Sequence, residues 1–161
     1  MFLRCKMYSQ KNVEYYLRDL YECALSQAKS VEDYRAWFEL AEKKATIDVT
    51  AVEHNVDIDT SELNRTFCAY AMENFGKLSS EINPESPVLV SSVMDYIHDH
   101  SEKAAIIVMD GMSEFDWTIL KRSFAGICYR QSAAFAMIPS TTSVSRQCLL
   151  SGKYPSQLLE P

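Results

Sequence analysis

Six consecutive apolar residues, Ala104 to Met109 (AAIIVM), run straight into Asp110 and Gly111, and this stretch constrains the chain more than any other. A helix with one wet face alternates apolar and polar residues every three to four positions. An unbroken, β-branched run of this length suits a central strand of a parallel sheet, covered on both faces. Such a strand needs neighbours, so the second half of the chain is expected to be α/β, with Asp110 at the carboxyl end of a buried strand.

The flanking residues extend that expectation. Ser113 and Asp116 mark the start of a helix carrying Phe115, Ile119, Leu120 and Phe124, and 126–138 supplies one or two further strands, which makes a β-α-β unit. Pro139 and a run of hydroxyls then lead into a helix through Val144, Cys148 and Leu149, closed by Gly152.

The first third follows a different period. Val13, Tyr16, Leu17, Leu20, Ala24, Leu25 and Ala28 recur at helical spacing over 12–28. A second helix is expected after Ser30, with Asp33 completing its cap and Val31, Tyr34, Phe38, Ala41 and Ala45 on its apolar face. A third, capped by Asp59 or Thr60, carries Leu63, Phe67, Tyr70, Ala71, Phe75 and Leu78. The NPESP stretch at 83–87 breaks the pattern, which puts a linker near 80–86, with Pro87 opening a fourth helix through Val90, Val93, Met94 and Ile97. The expected division is a helical region over 1–85 and an α/β region over 86–161.

Composition narrows the classes of function. With a net charge of −6 and no basic stripe, autonomous nucleic-acid binding through phosphate neutralisation is disfavoured. The cysteines (Cys5, Cys23, Cys68, Cys128 and Cys148) are scattered and form no C-x-x-C pair, as expected for reduced thiols. The opening MFLRCKMYSQ lacks the apolar stretch of a signal peptide, and no run approaches a membrane span, so a cytoplasmic protein is expected.

In open α/β sheets, ligands sit beyond the carboxyl ends of the strands. Asp110 stands at such an end, where two readings stay open: a cap for the following helix, or a ligand for a bound group. Thr141 and Thr142 fall where a strand should give way to a helix, close to free backbone N–H groups and the positive end of the dipole, a setting that suits phosphate; plain capping by Thr141, Thr142 or Ser143 is the simpler alternative. A threonine hydroxyl needs a base or a metal to become a nucleophile. No histidine follows His100, so a divalent ion held partly by Asp110 is the more economical activator. His54, His98 and His100 read as helix-surface or helix-terminal residues. Ser151-Gly152-Lys153 is not a phosphate loop, because Gln147 stands where the first glycine belongs and Tyr154 where the hydroxyl belongs.

Two blocks, IIVMDGMSEFDW at 106–117 and FAMIPSTTSVSRQCLLSGKYP at 135–155, resemble in order and separation the PglZ domain, a branch of the alkaline phosphatase superfamily found in bacterial phage-defence (BREX) systems. The resemblance covers roughly 86–161. It implies the first β-α-β part of an alkaline-phosphatase-like α/β/α sandwich and the chemistry of a metal-dependent phosphohydrolase or phosphodiesterase. It also implies two divalent metal ions (Zn, Mn or Mg), with Asp110 as the first metal ligand and Thr142 as a nucleophile that also touches metal. Thr141 is the less favoured of the two threonines. Arg146 is placed to meet a phosphate oxygen, with a structural ion pair as the alternative. The family's other ligands lie downstream of the nucleophile, so the chain is expected to be the N-terminal part of such a domain, truncated and inactive alone. The alternative is a non-catalytic scaffold or binding module working with other defence-system proteins, its unpaired strand edge favouring self-association.

Overall fold

The computed structural model describes residues 9–158; Cys5 lies outside them. Helix α1 (Gln10–Ala28) begins where the Ser9 hydroxyl accepts from the Asn12 N–H, and it buries Val13, Leu17, Ala24 and Ala28. Those positions follow the expected stripe, while Tyr16 stays 60% exposed at its edge. Helix α2 (Ala36–Glu53) packs against α1. Gln10 of α1 reaches the Asn55 carbonyl just past the end of α2, and Lys43 reaches Gln27 near the end of α1, so the two run antiparallel. Val13 and Leu17 meet Ile47 and Ala51 in a cluster that Leu20, Tyr21, Val56 and Ile58 enclose.

The start of α2 departs from the sequence expectation. The Ser30 hydroxyl turns back onto the Gln27 carbonyl at the end of α1, and Asp33 is taken up by Arg35, so α2 opens only at Ala36. Its buried residues, Trp37, Leu40, Ala45, Ile47, Val49 and Ala51, form a broader band than the expected stripe, and Ala41 faces out. A second neighbour on its other flank explains the width: α5 (Glu114–Leu120) packs on α2 as well. Helix α3 (Ser61–Leu78) follows Asp59, whose carboxylate accepts from the Ser61 N–H at 2.9 Å. Thr60 is buried and donates to Asp48 at 3.0 Å. Trp37 lies between Phe67 and Tyr70, with ring centroids 5.2 and 5.3 Å away.

The chain forms two compact units, one made of the residues up to Met72 with Ser113–Ile127, the other of Glu73–Met112 with the residues from Cys128 onward. In the second, Pro87, Val88 and Leu89 are buried, and Leu89 is already extended. The expected fourth helix is therefore delayed to a 3₁₀ turn at Val90–Ser92 and α4 (Val93–His100). Helix α6 (Thr142–Ser151) packs on that turn and on α4, and is followed by α7 (Pro155–Leu158). Met137 and Cys148 are fully buried, and the Tyr154 hydroxyl donates to the Ser79 carbonyl at 2.7 Å.

The expected α/β fold is not found. Among the described residues there is no sheet and therefore no α/β/α sandwich: the elements are helical, and the sole β pairing is a single parallel bridge between Leu89 and Phe135. There the Phe135 N–H donates to the Val88 carbonyl at 2.8 Å, and the Val90 N–H donates to the Phe135 carbonyl at 2.9 Å. Residues 104–109 carry no strand assignment, and every residue from Ser101 to Ser113 is exposed. The reason is physical. A helix satisfies its backbone from within its own residues, whereas a strand satisfies it only across a neighbour. An apolar, β-branched sequence is fit for a sheet but cannot build one alone.

Candidate functional site

Asp110 closes the extended run and sits in a turn completed by Gly111, whose φ of +72° belongs to the left-handed region where a Cβ is costly. The carboxylate does not cap the following helix. That work falls to Ser113, whose hydroxyl accepts from the Asp116 N–H while the Asp116 carboxylate accepts from the Ser113 N–H at 3.0 Å. These contacts hold the Asp116 carboxyl below the usual carboxylate range, the Ser113 hydroxyl being the main cause. Asp110 is thus spared from capping.

The second block is shaped by α6. Thr141 is its N-cap, in extended conformation (φ −75°, ψ 143°), yet its side chain makes no capping hydrogen bond. Thr142 is the first residue of the helix, and Thr141, Thr142 and Ser143 are all exposed. At the other end Gly152 adopts φ +69° and its N–H returns to the Cys148 carbonyl, so the predicted glycine stop is formed. Burial of Cys148 anchors the inner face and pushes its thiol above the usual range.

Arg146 joins the two blocks. Its Nη1 lies 3.8 Å from Asp110 Oδ2, with the two side chains 59% and 46% exposed. Thr142 and Arg146 are four residues apart, so they share one face of α6, and the reach toward Asp110 identifies that face. The structure thus brings Arg146 to Asp110, while Thr142 is placed only on the Arg146 face of α6. An exposed ion pair at this distance contributes little to stability, so it is easily exchanged for another partner.

The metal centre implied by the resemblance is not built by these residues. Among the described residues no three His, Cys, Asp or Glu side chains converge as a metal site. Asp110 and Thr142 alone offer too few donors for a two-ion centre, which needs several carboxylates or imidazoles. The histidines are elsewhere: His54 ends α2, and His98 and His100 lie in the last turn of α4. The His100 ring stacks on Tyr96 at 4.1 Å, and its Nδ1 lies 2.8 Å from the Tyr96 carbonyl.

Two ion pairs escaped the sequence reading, Lys121–Glu42 at 2.6 Å and Arg122–Glu53, both tying the turn after α5 to α2. Their partners are 79 and 69 residues apart, beyond the reach of any helical spacing rule. No family model, no curated protein and no solved structure matches the chain. No helix among the described residues is long and apolar enough to cross a membrane.

Proposed function

We propose that residues 104–153 supply the leading part of a phosphoester-cleaving site of the PglZ type, with Thr142 as nucleophile, Asp110 as the first metal-binding carboxylate and Arg146 as the contact to a phosphate oxygen. The observation that carries this reading is the approach of Arg146 to Asp110, which joins two motif blocks distant in sequence. A phosphate arriving at Arg146 would replace a long, exposed ion pair with a bidentate contact and release the Asp110 carboxylate. A centre of two Zn, Mn or Mg ions needs donors beyond these residues, so turnover is expected only where further ligands complete the site. A cytoplasmic setting and a role beside other phage-defence proteins are part of the same reading, and both rest on the resemblance.

The test is hydrolysis of bis(p-nitrophenyl) phosphate by the native gene product with Mn²⁺, alongside Thr142→Ala and Asp110→Asn. Both variants should lose activity on the order of a thousandfold or more. Unchanged hydrolysis by Thr142→Ala overturns the nucleophile assignment.

A second reading, a binding module without turnover, is favoured by one observation: Ile106, Ile107, Val108 and Met109 are 44%, 84%, 50% and 51% exposed in a single apolar run. Contiguous surface of this kind marks interaction sites, including self-association. An inactive native product whose melting temperature is indifferent to EDTA would favour it.

A further inference from the structure

The second unit contains a free backbone edge beside the lone bridge. There the Phe135 N–H donates to Val88 and its carbonyl accepts from Val90, so its backbone groups face 88–90. In an extended chain the backbone groups of successive residues point to opposite edges. Those of Ala134 and Ala136 therefore point away from 88–90, and neither residue has a backbone hydrogen bond among the described residues. Phe135 and Met137 are buried while Ala136 between them is exposed, the alternation of an extended segment with one covered face.

Residues 104–109, also in the second unit, have the complementary need. None of their backbone groups is hydrogen-bonded among the described residues, and Ile106 to Met109 are exposed. We propose that two copies of the chain exchange these segments: 104–110 of each pairs antiparallel with 130–136 of the other, about a two-fold axis that repeats the same ladder twice.

Charge fixes the direction and the register. Arg130 is exposed and has no ion-pair partner among the described residues, and Asp110 is engaged only by the long, exposed contact to Arg146. Setting Asp110 opposite Arg130 in antiparallel alignment puts Ile107 opposite Ala133, Ile106 opposite Ala134 and Ala105 opposite Phe135, so large side chains meet small ones. The same alignment sets even-numbered residues of the run against Ala134 and Ala136, whose backbone groups are the free ones. A slip of one residue breaks both matches, and a slip of two keeps the edge but loses the ion pair. A parallel alignment that kept Asp110 beside Arg130 would set the run against 124–129, short of the free edge.

The contact is smaller than a standard protein interface, so the dimer dissociates on the order of 0.1 mM, and in dilute solution the run stays uncovered. The inference rests on the binding-module reading and names its partner. Its observable is the mass of the assembly, separate from the metal dependence that tests that reading, so either can fail alone.

Sedimentation equilibrium of the whole chain at about 0.5 mM tests it, with the wild type expected to be mainly dimeric. Asp110→Arg and Arg130→Asp each place like charges opposite one another in both ladders, and each should weaken the dimer about tenfold or more. The double variant restores opposite charges, and so does an equimolar mixture of the two single variants, so both samples should recover the wild-type mass. Asp110 and Arg130 are exposed, and thermal unfolding of each variant checks that the fold is kept. A monomeric wild type, or single variants that dimerise as the wild type does, would overturn the exchange. Recovery in the double variant but not in the mixture would place the pairing within one chain and overturn it as well, as would recovery in neither.

Discussion

The α1–α2 pair and the stretch from Ser101 to Ser113 are about equally apolar in places, yet one is a core and the other is exposed chain. In α1 and α2 the apolar residues recur at helical spacing, so two elements that each complete their own hydrogen bonds can meet face to face and bury Leu17, Leu40 and Ile47 to 1% exposure. In 104–109 the apolar residues are continuous and suited to a sheet, but no neighbouring strand lies alongside among the described residues, and Ile107 remains 84% exposed. What separates the regions is whether the pattern can be satisfied within the segment or only across a partner.

The largest test of that contrast compares the regions directly. Leu40→Ala removes a fully buried side chain from a helix with neighbours on two flanks, and about 2–5 kcal/mol of stability should go with it in urea unfolding. Ile107→Ser, an equally drastic change in polarity, should alter stability by no more than about 0.5 kcal/mol. A large cost at Ile107 would mean that 104–109 is covered in solution and that the contrast fails.

Met137 sharpens it from inside the second unit. It lies two residues after the lone bridge at Phe135 and is fully buried, whereas Ile138 beside it is 41% exposed. Met137→Ala should cost about 2–4 kcal/mol and Ile138→Ala well under half of that. If the two were equal, burial around the bridge would not be the anchor of this extended segment.

Those residues also show how far the sequence could be read. Helices α1, α3, α5 and α6 were legible because their signals are local: the Val13–Leu17–Ala24 stripe, Asp59 before Ser61, the Ser113–Asp116 cap and Gly152 as a stop. The start of α2 was misplaced because Ser30 and Asp33 spend their side chains on the preceding turn and on Arg35. The sheet was not there to be read, since an apolar run states only that a partner strand would be welcome. For the candidate site, the alternative of an ion pair for Arg146 was legible. That its partner is Asp110 depends on chain geometry between 110 and 146, which no spacing rule carries.

A smaller effect separates local from long-range support. Ser113→Ala removes a hydroxyl that both accepts from the Asp116 N–H and donates to its carboxylate, and about 1 kcal/mol of stability should be lost. The loss should fall on α5 amides first, because the cap serves that helix alone. Equal acceleration of α2 would show that α5 and α2 form one cooperative unit.

The smallest expected effect is in acid, and its sign is fixed by Arg122. That guanidinium, hydrogen-bonded to Glu53, holds the Glu53 carboxyl below its ordinary value of 4.5. A carboxyl with a depressed folded-state pKa stabilises the fold above its unfolded-state value, and that contribution disappears as pH falls through the folded-state value. Because both side chains are about half exposed, the contribution is screened to about 0.3 kcal/mol. At pH 7 Glu53→Gln should therefore have a slightly lower urea midpoint than the wild type, and the two should converge as the pH drops below 4.5. Asp33, Asp59 and Asp116 also lie below their ordinary values, so both proteins lose stability in acid, and only the gap between them reports on Glu53. A gap that widened in acid would mean that Glu53 is better held when protonated, and that the Arg122 contact does not support the α5–α2 junction.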